Sequence, residues 1–244
     1  MCFLCEKLKE YQLTLMAIIL ALGIILAAAV GTKNISQKGI YMTGSAEEIV
    51  TSDSATWTIT MNTKKKTLSD AYKTIQSQIP TVKEYLIANG IESANISIEP
   101  SNYWTSYVRL PNGNTTDDIA AYNYSQNIVV KSNDVNKIKE LSTDIEKLTE
   151  KNITLNSQSP EYQYSKLAEL KVKLLEAASQ DAKQRANATL KINNNKTGKI
   201  LSVKTGVFQI TSPESNNVSD MGIFDSNSIE KKVTAVVNVT YEIK

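Results

Sequence analysis

The sequence predicts an α+β fold, in which an N-terminal transmembrane helix precedes a domain of antiparallel or mixed sheet with helices packed on it. Two patterns indicate this class. Segments in which apolar and polar residues alternate come in pairs, and segments with apolar residues at helical spacing follow them. The resulting order, ββα-ββα-βα-ββ, favours helices on one face of a sheet. With 244 residues, 41% of them hydrophobic, the chain can form one large domain or two small ones.

The first predicted element is a hydrophobic segment at 13–31, which follows a short tail at 1–12. Residues 13–30 carry no charge, and a helix of this length spans roughly 27 Å, close to the hydrocarbon thickness of a bilayer. We predict a single-pass anchor in the cell membrane, with the C-terminal domain outside the cytoplasm. The alternative is a secretory signal cleaved near Ala29, which would leave a secreted or periplasmic protein.

After a polar linker at 32–38, residues 39–244 form the predicted domain. It begins with two strands at 39–63 that are joined near Thr51–Asp53. We predict that these two strands pair with each other. In the second strand, one face carries Ala55, Trp57, Ile59 and Met61.

Residues 66–90 then change to helical spacing. One stripe carries the apolar residues of this helix, namely Leu68, Ala71, Ile75, Ile79, Val82 and Leu86. Gly90 follows as a left-handed cap, and Pro80 predicts a kink or a break.

The sequence of the middle of the chain predicts a second pair of strands, at 94–110 and 120–132. Pro111–Asn114 and the acidic pair Asp117-Asp118 supply the loop between them.

Aromatic side chains are frequent in this pair. We consider three of them, together with Trp57 of the second strand, as candidates for a ligand site or an interface. These are Trp57, Tyr103, Trp104 and Tyr107. The competing interpretation is ordinary cross-strand aromatic packing within a sheet.

The remaining elements follow from the same two periodicities. They are a helix from Asp134, a strand within 152–165, a long helix from Ser165 to Ile192, a strand at 199–210, a mobile loop at 212–228 and a closing strand at 229–243. In the long helix the apolar face changes from leucine to alanine, at Ala178, Ala182 and Ala186. Alanine at these positions lets another backbone approach closely, so we interpret this face as scaffold. Asp181 and Arg185 predict a surface ion pair.

The sequence does not contain the residues or motifs that several classes of enzyme and binding site require. The chain has no histidine, and its two cysteines, Cys2 and Cys5, precede the hydrophobic segment. They match half of a redox or zinc motif, or an acylation site near a membrane. No nucleophile elbow, phosphate-binding loop or dinucleotide fingerprint occurs. Basic and acidic residues are interleaved, unlike a nucleic-acid footprint. We therefore predict no enzyme activity, no cofactor, no metal site and no nucleic-acid partner.

Five segments together resemble one known family. They are "GIYMTGSAEEIVTSDSATWTI", "YLIANGIESANISIEP", "EAASQDAKQRANATL", "KTGKILSVKTGVFQI" and "SIEKKVTAVVNVTYEI". In this order and spacing they resemble the SIMPL-domain proteins of bacterial envelopes, over about 39–244. The Asn- and Ser-rich loop at 212–228 departs from the pattern.

The resemblance implies an α+β protein exported from the cytoplasm, with no catalytic residue set to carry over. It also implies ring-like homo-oligomers and a link to envelope stress. We therefore expect a non-enzymatic, membrane-anchored domain that assembles with itself or binds an envelope partner. A small-molecule or peptide binding module with an aromatic surface is the alternative.

Overall fold

The structure, a computed structural model, describes residue 11, residues 14–27 and residues 39–244. Cys2, Cys5 and the predicted linker at 32–38 lie outside the described residues. The chain divides into two compact units. Of the described residues, those within 1–46, 175–206 and 236–244 belong to unit 1, and those within 47–174 and 207–235 belong to unit 2.

Residues 14–27 form a helix, α1, in which every side chain is exposed. No helix among the described residues is both long and apolar enough to cross a membrane. The predicted anchor at 13–31 extends at both ends into residues that the structure does not describe.

Residues 39–244 form the strands and helices of an α+β fold, with both antiparallel and parallel strand pairs. In chain order they are β1 (Gly39–Thr51), β2 (Ser54–Lys65), α2 (Leu68–Ala88), β3 (Ile96–Ile98), β4 (Asn102–Arg109), β5 (Thr115–Ser132), α3 (Val135–Asp144), β6 (Leu155–Ser157), β7 (Glu161–Gln163), α4 (Leu167–Lys191), β8 (Thr197–Thr205), β9 (Gln209–Thr211), β10 (Ile223–Phe224) and β11 (Glu230–Ile243). The fold class predicted for the domain is therefore confirmed. Additional short strands make the order ββα-βββα-ββα-ββββ, where ββα-ββα-βα-ββ was predicted.

Unit 2 contains a six-stranded antiparallel sheet built around β2 and β5. β5 pairs with β2, β3 and β4, and β2 also pairs with β6 and β7. The apolar face of β2 packs with the buried stripes of α2 and α3 in one hydrophobic core. The stripe predicted for α2 is buried from Ala71 to Leu86, with Leu68 partly buried at its start.

Both ends of α2 are capped by local sequence. The Thr67 side chain accepts a hydrogen bond from the backbone N–H of Asp70. At the other end Gly90 has φ +88°, and the N–H groups of Gly90 and Ile91 donate to the carbonyls of Ile87 and Leu86. This is the Schellman arrangement, and it explains why a glycine follows the helix.

The break predicted at Pro80 does not occur, because α2 runs without interruption from Leu68 to Ala88. Pro80 is exposed, whereas its neighbour Ile79 is buried. The backbone hydrogen bond that proline lacks therefore falls on the solvent side, and the buried stripe stabilises the helix through this point.

The predicted pairing of the first two strands is wrong. β1 pairs with β11, whereas β2 pairs with β5, β6 and β7. After the turn, the Ser52 N–H donates to Ile229 O and the Asp53 N–H donates to Gln163 O, so consecutive residues bond to different segments. Alternation in a sequence indicates which side chains are buried, but it does not specify the partner strand.

Other boundaries also differ from those predicted. Asp117 and Asp118 lie within β5 rather than in a loop. The strand predicted within 152–165 is two short strands, β6 and β7, and the strand predicted at 199–210 is divided into β8 and β9. The loop at 212–228 contains β10, which pairs in parallel with β9.

A buried lysine binds backbone carbonyls of the segment that follows β10. Lys231 is 3% exposed, and its ammonium donates to the carbonyls of Asp225 and Ser228 at 2.6 and 2.7 Å. Burial lowers the pKa of Lys231, although the nearby Asp225 opposes this shift. The two carbonyl bonds explain how a lysine can be buried in unit 2.

Unit 1 contains the first part of β1, the second part of α4, β8 and the end of β11. β1 and β8 both pair with β11, and the β8 pairing is antiparallel. The alternation predicted for β11 is confirmed here, since Val237, Val239 and Tyr241 are buried.

Candidate functional site

The hairpin of β4 and β5 extends past the strand that supports it in unit 2. β2 pairs with β5 only as far as the Lys65–Tyr122 pair, whereas β4 continues along β5 to the Arg109–Thr115 pair. Residues 115–121 of β5 therefore pair with β4 alone. We call β4 together with residues 110–125 the aromatic hairpin. Two-stranded ribbons are marginally stable without a further strand or a packed face.

Large apolar side chains are exposed along the aromatic hairpin. Three of the four predicted candidates belong to it, with exposures of 59% for Tyr103, 53% for Trp104 and 48% for Tyr107. The structure adds three that sequence reasoning missed, namely Val108, Leu110 and Ile119. The six do not form one stripe, because Tyr103 and Trp104 are adjacent on a strand and face opposite ways.

The fourth candidate, Trp57, lies apart from the hairpin surface. Its side chain is fully buried in the unit 2 core, and its indole Nε1–H donates to Ser157 Oγ at 3.1 Å. Trp57 is therefore a core residue, and it is not available to a ligand or a partner. Tyr103 and Tyr124 are paired in register, and the ring of Tyr124 lies edge-on to that of Tyr72 in α2, with centroids 6.1 Å apart.

The alanine face of α4 packs against a glycine of β1 within unit 1. An ideal Cβ atom added at Gly44 would lie 2.1 Å from Ala178 O and 2.4 Å from Ala182 N. The strand and helix backbones are therefore in direct contact, and Ala178, Ala182 and Ala186 are fully buried. The close approach predicted for this face is confirmed, and its partner is the backbone of β1.

A carboxylate bridges the same strand and helix. Asp181 accepts the backbone N–H of Ser45 at 2.9 Å, and Arg185 Nε lies 2.8 Å from the Asp181 carboxylate. The Arg185 side chain and the Ser45 N–H hold the pKa of Asp181 below its ordinary value. The predicted ion pair is confirmed, and Asp181 also occupies a backbone donor of β1.

A family model described as SIMPL, a protein of unknown function (DUF541), matches residues 40–241. The chain belongs to the SIMPL family. No curated protein matches the sequence. The family match confirms the resemblance that the five sequence segments indicated, and it extends from β1 to β11 of the SIMPL domain.

Two of those five segments meet in the SIMPL domain. The Gly44-Ser45 step belongs to the first, and the helix residues Ala178, Ala182 and Asp181 belong to the third. Their contacts are backbone packing and a bond to a backbone N–H, which are structural roles. Within the described part of the chain, no three His, Cys, Asp or Glu side chains are grouped so that they could hold a metal ion.

We expect Ala182→Leu to destabilise the SIMPL domain by roughly 1–3 kcal/mol, because the larger side chain would overpack a contact between two backbones. Ala188→Leu is the matched control, since Ala188 is exposed on the same helix. Thermal unfolding of both variants measures the effect. Equal midpoints for the two variants would contradict the packing of α4 on β1.

Proposed function

We propose that the protein is a membrane-anchored, extracytoplasmic SIMPL domain that is not an enzyme and that acts by assembling with copies of itself, in a structural or envelope-stress role. The observation that carries the proposal is the aromatic hairpin, which exposes six large apolar side chains. Four of them, Tyr107, Val108, Leu110 and Ile119, lie where the ribbon has no third strand among the described strands. A neighbouring chain that pairs with β4 would supply that strand and cover the side chains.

The free edge of β4 has few of the features that prevent strands from pairing. Its sequence, Asn102–Arg109, contains no proline or lysine, and its only charged residue is Arg109 at the end. Natural edge strands are usually protected by such residues or by a covering element. β4 therefore favours addition of a strand from another copy.

A second free edge occurs in unit 1. β8 pairs with β11 alone among the described strands, and Ile200 and Val203 are more than half exposed on it. Unlike β4, β8 carries Lys199 and Lys204, which disfavour pairing with a second strand. We therefore rank the β4 edge first as the assembly surface.

Anchoring rests on the residues around α1. Nine large apolar side chains of α1 are between 54% and 65% exposed, and they are distributed around the whole helix. A helix that is apolar on all sides is typical of a membrane span or of a buried core. The apolar sequence continues on both sides of α1, so a segment at 13–31 reaches the length needed.

Sedimentation velocity of the full chain in detergent tests assembly. We expect wild-type protein to form a multimer and Val108→Lys to shift it towards monomer, because a lysine on β4 would place a charge in the interface. Val172→Lys, at an exposed valine of α4, is the matched control. Val203→Lys makes the same change on β8 and compares the two edges.

Assembly would be contradicted by a wild-type monomer at high micromolar concentration. If Val108→Lys and Val172→Lys had the same effect, the multimer would not depend on the aromatic hairpin. Dissociation by Val203→Lys alone would move the interface to β8.

Topology has its own test. A reporter fused after Lys244 is expected to be active only outside the cytoplasm, because the chain has a single hydrophobic segment of spanning length. Cytoplasmic activity would reject this orientation. A mature N-terminus near Val30 would show cleavage and would reject the anchor.

The second candidate function is binding of a small molecule or an extended peptide by the aromatic hairpin. It is favoured by the exposed rings of Tyr103, Trp104 and Tyr107, since aromatic side chains are frequent at binding surfaces. A monomer that binds an added peptide and loses the binding on Trp104→Ser would favour this function over assembly.

A further inference from the structure

At one end of unit 1, the start of β1 lies beside the turn that joins α4 to β8. A Cβ atom added at Gly39 would lie 3.2 Å from Leu201 Cδ1 of β8 and 3.3 Å from Tyr241 O of β11. From this point β8 pairs with β11 back to Thr197. The Thr197 hydroxyl then donates to Asn187 Oδ1, near the end of α4, at 2.8 Å. The chain therefore enters unit 1 next to this turn.

The turn is basic. Residues 187–204 contain four lysines and no acidic residue. Three of the four, Lys191, Lys196 and Lys199, are exposed, and none of these three forms an ion pair in the part of the chain that the structure describes. We call residues 191–199 the lysine turn.

The surroundings of the lysine turn leave most of its charge uncompensated. The cleft between Lys191 and Lys196 is lined otherwise by asparagines and a threonine. A carboxylate that lies close by is that of Glu242, which accepts the backbone N–H of Lys199 at 3.3 Å. Three ammonium groups near one carboxylate create a positive potential at this end of unit 1.

An apolar side chain projects from the lysine turn. Ile192 follows directly after α4 and is 82% exposed, and Ile200, next to Lys199 on β8, is 59% exposed. Lysines that surround an exposed apolar residue are typical of a surface that meets the headgroup region of a bilayer. The ammonium groups bind lipid phosphates there, and the apolar side chain enters between the headgroups.

The chain that precedes β1 limits how far this end of unit 1 can lie from a membrane. The proposed anchor ends at residue 31 and β1 begins at Gly39. Eight peptide steps reach at most about 28 Å. The anchor therefore keeps the lysine turn near the bilayer, and contacts that would be weak for a free protein act at a high effective concentration.

From these observations we propose that the lysine turn docks unit 1 on the surface of a bilayer that contains anionic lipids. Lys191, Lys196 and Lys199 bind lipid phosphates, and Ile192 enters the headgroup region. The inference rests on the membrane anchor of the proposed function and is independent of assembly through β4. Because attraction between charges decays over about 8 Å at physiological salt, docking depends on both anionic lipid and ionic strength.

Fluorescence of the full chain in lipid nanodiscs, with a single chain per disc, tests docking. Cys2→Ser and Cys5→Ser remove the native thiols, and Ile192→Cys then carries an environment-sensitive fluorophore. The discs contain phosphatidylcholine with or without phosphatidylglycerol. We expect blue-shifted emission only in the discs with phosphatidylglycerol, and we expect high salt to reverse the shift, since screening weakens the attraction.

A second label position controls for the part of unit 1 that touches the bilayer. Glu176 is exposed on α4, and it lies about 22 Å from Lys191 along the helix axis. We expect the same fluorophore on Glu176→Cys to show no shift in either kind of disc. An equal shift at both positions would overturn docking through the lysine turn.

Charge variants test the three lysines. The triple change of Lys191, Lys196 and Lys199 to glutamine should remove most of the shift. Each lysine contributes about fivefold near an anionic surface, so the ratio of docked to undocked protein falls on the order of a hundredfold.

The control removes the same charge from three exposed lysines of unit 2. It is the triple change Lys64→Gln, Lys65→Gln and Lys66→Gln, and it should leave the shift unchanged. The thermal midpoint of each variant shows that it is folded. An equal loss of the shift in the two triple variants would show an effect of net charge alone and would overturn the proposal.

The discs also separate failure of docking from failure of the anchor. A chain that copurifies with the discs but shows no shift with phosphatidylglycerol, or the same shift without it, would overturn docking and leave the anchor intact. A chain that does not copurify with the discs would reject the anchor and docking with it.

Discussion

Gly44→Ala is expected to destabilise the SIMPL domain by about 3 kcal/mol or more, at the upper end of overpacking effects. The added Cβ would lie 2.1 Å from Ala178 O, 2.4 Å from Ala182 N and 2.8 Å from Ala182 Cβ. The first two of these atoms belong to a helix backbone, so they cannot move away as the end of a flexible side chain can. The strand and helix must separate, which would also disturb the bond between Asp181 and Ser45.

Chemical denaturation of Gly44→Ala measures this effect, and Gly198→Ala is its control. Gly198 is also a strand glycine of unit 1, but a Cβ there would meet the side chains of Glu242 and Lys244 first. Those side chains can rotate, so we expect a much smaller loss of stability. If the two variants unfolded at the same denaturant concentration, the close contact between β1 and α4 would be refuted.

Trp57→Ala is expected to cost about 3–5 kcal/mol, because it would leave a large cavity in the core of unit 2. The Trp57 side chain is fully buried between strands and helices of the core cluster. The change would also leave Ser157 Oγ without its indole donor.

Trp104→Ala provides the matched control, since Trp104 is 53% exposed on the aromatic hairpin. At a protein concentration low enough for the chain to be monomeric, we expect a change within about 0.5 kcal/mol, as for most surface substitutions. The chain has two tryptophans, so each variant leaves a single fluorophore whose emission reports its surroundings. In Trp104→Ala we expect blue-shifted emission from the buried Trp57. In Trp57→Ala we expect red-shifted emission from the exposed Trp104. Similar losses of stability would contradict the different burial of the two residues.

Local sequence does not distinguish the exposed aromatic residues of the candidate surface from aromatic residues of the core. Trp57 and Trp104 both lie in alternating segments with aromatic or β-branched neighbours, and nothing local distinguishes a buried ring from an exposed one. The difference arises because α2 packs across the face of β2, whereas β4 is an edge strand that pairs with β5 alone among the described strands. Val108, Leu110 and Ile119 were missed for the same reason.

The contact between Gln78 and Asn152 could not be predicted from the sequence either, because the two residues lie far apart along the chain. Only the packing of α2 beside the segment before β6 places the Gln78 amide next to Asn152 O.

The sequence by itself determined the α+β class, the faces of α2, α3, α4 and β11, the cap at Gly90 and the family, because these depend on local periodicity, turn chemistry and the order of motifs. Only the tertiary structure decided that β1 and β2 pair with different strands, that Trp57 is internal and that Gly44 contacts α4. Each of these depends on which distant segment lies opposite. Strand pairing and close packing are interactions between residues far apart in the chain, and local alternation restricts them without specifying them.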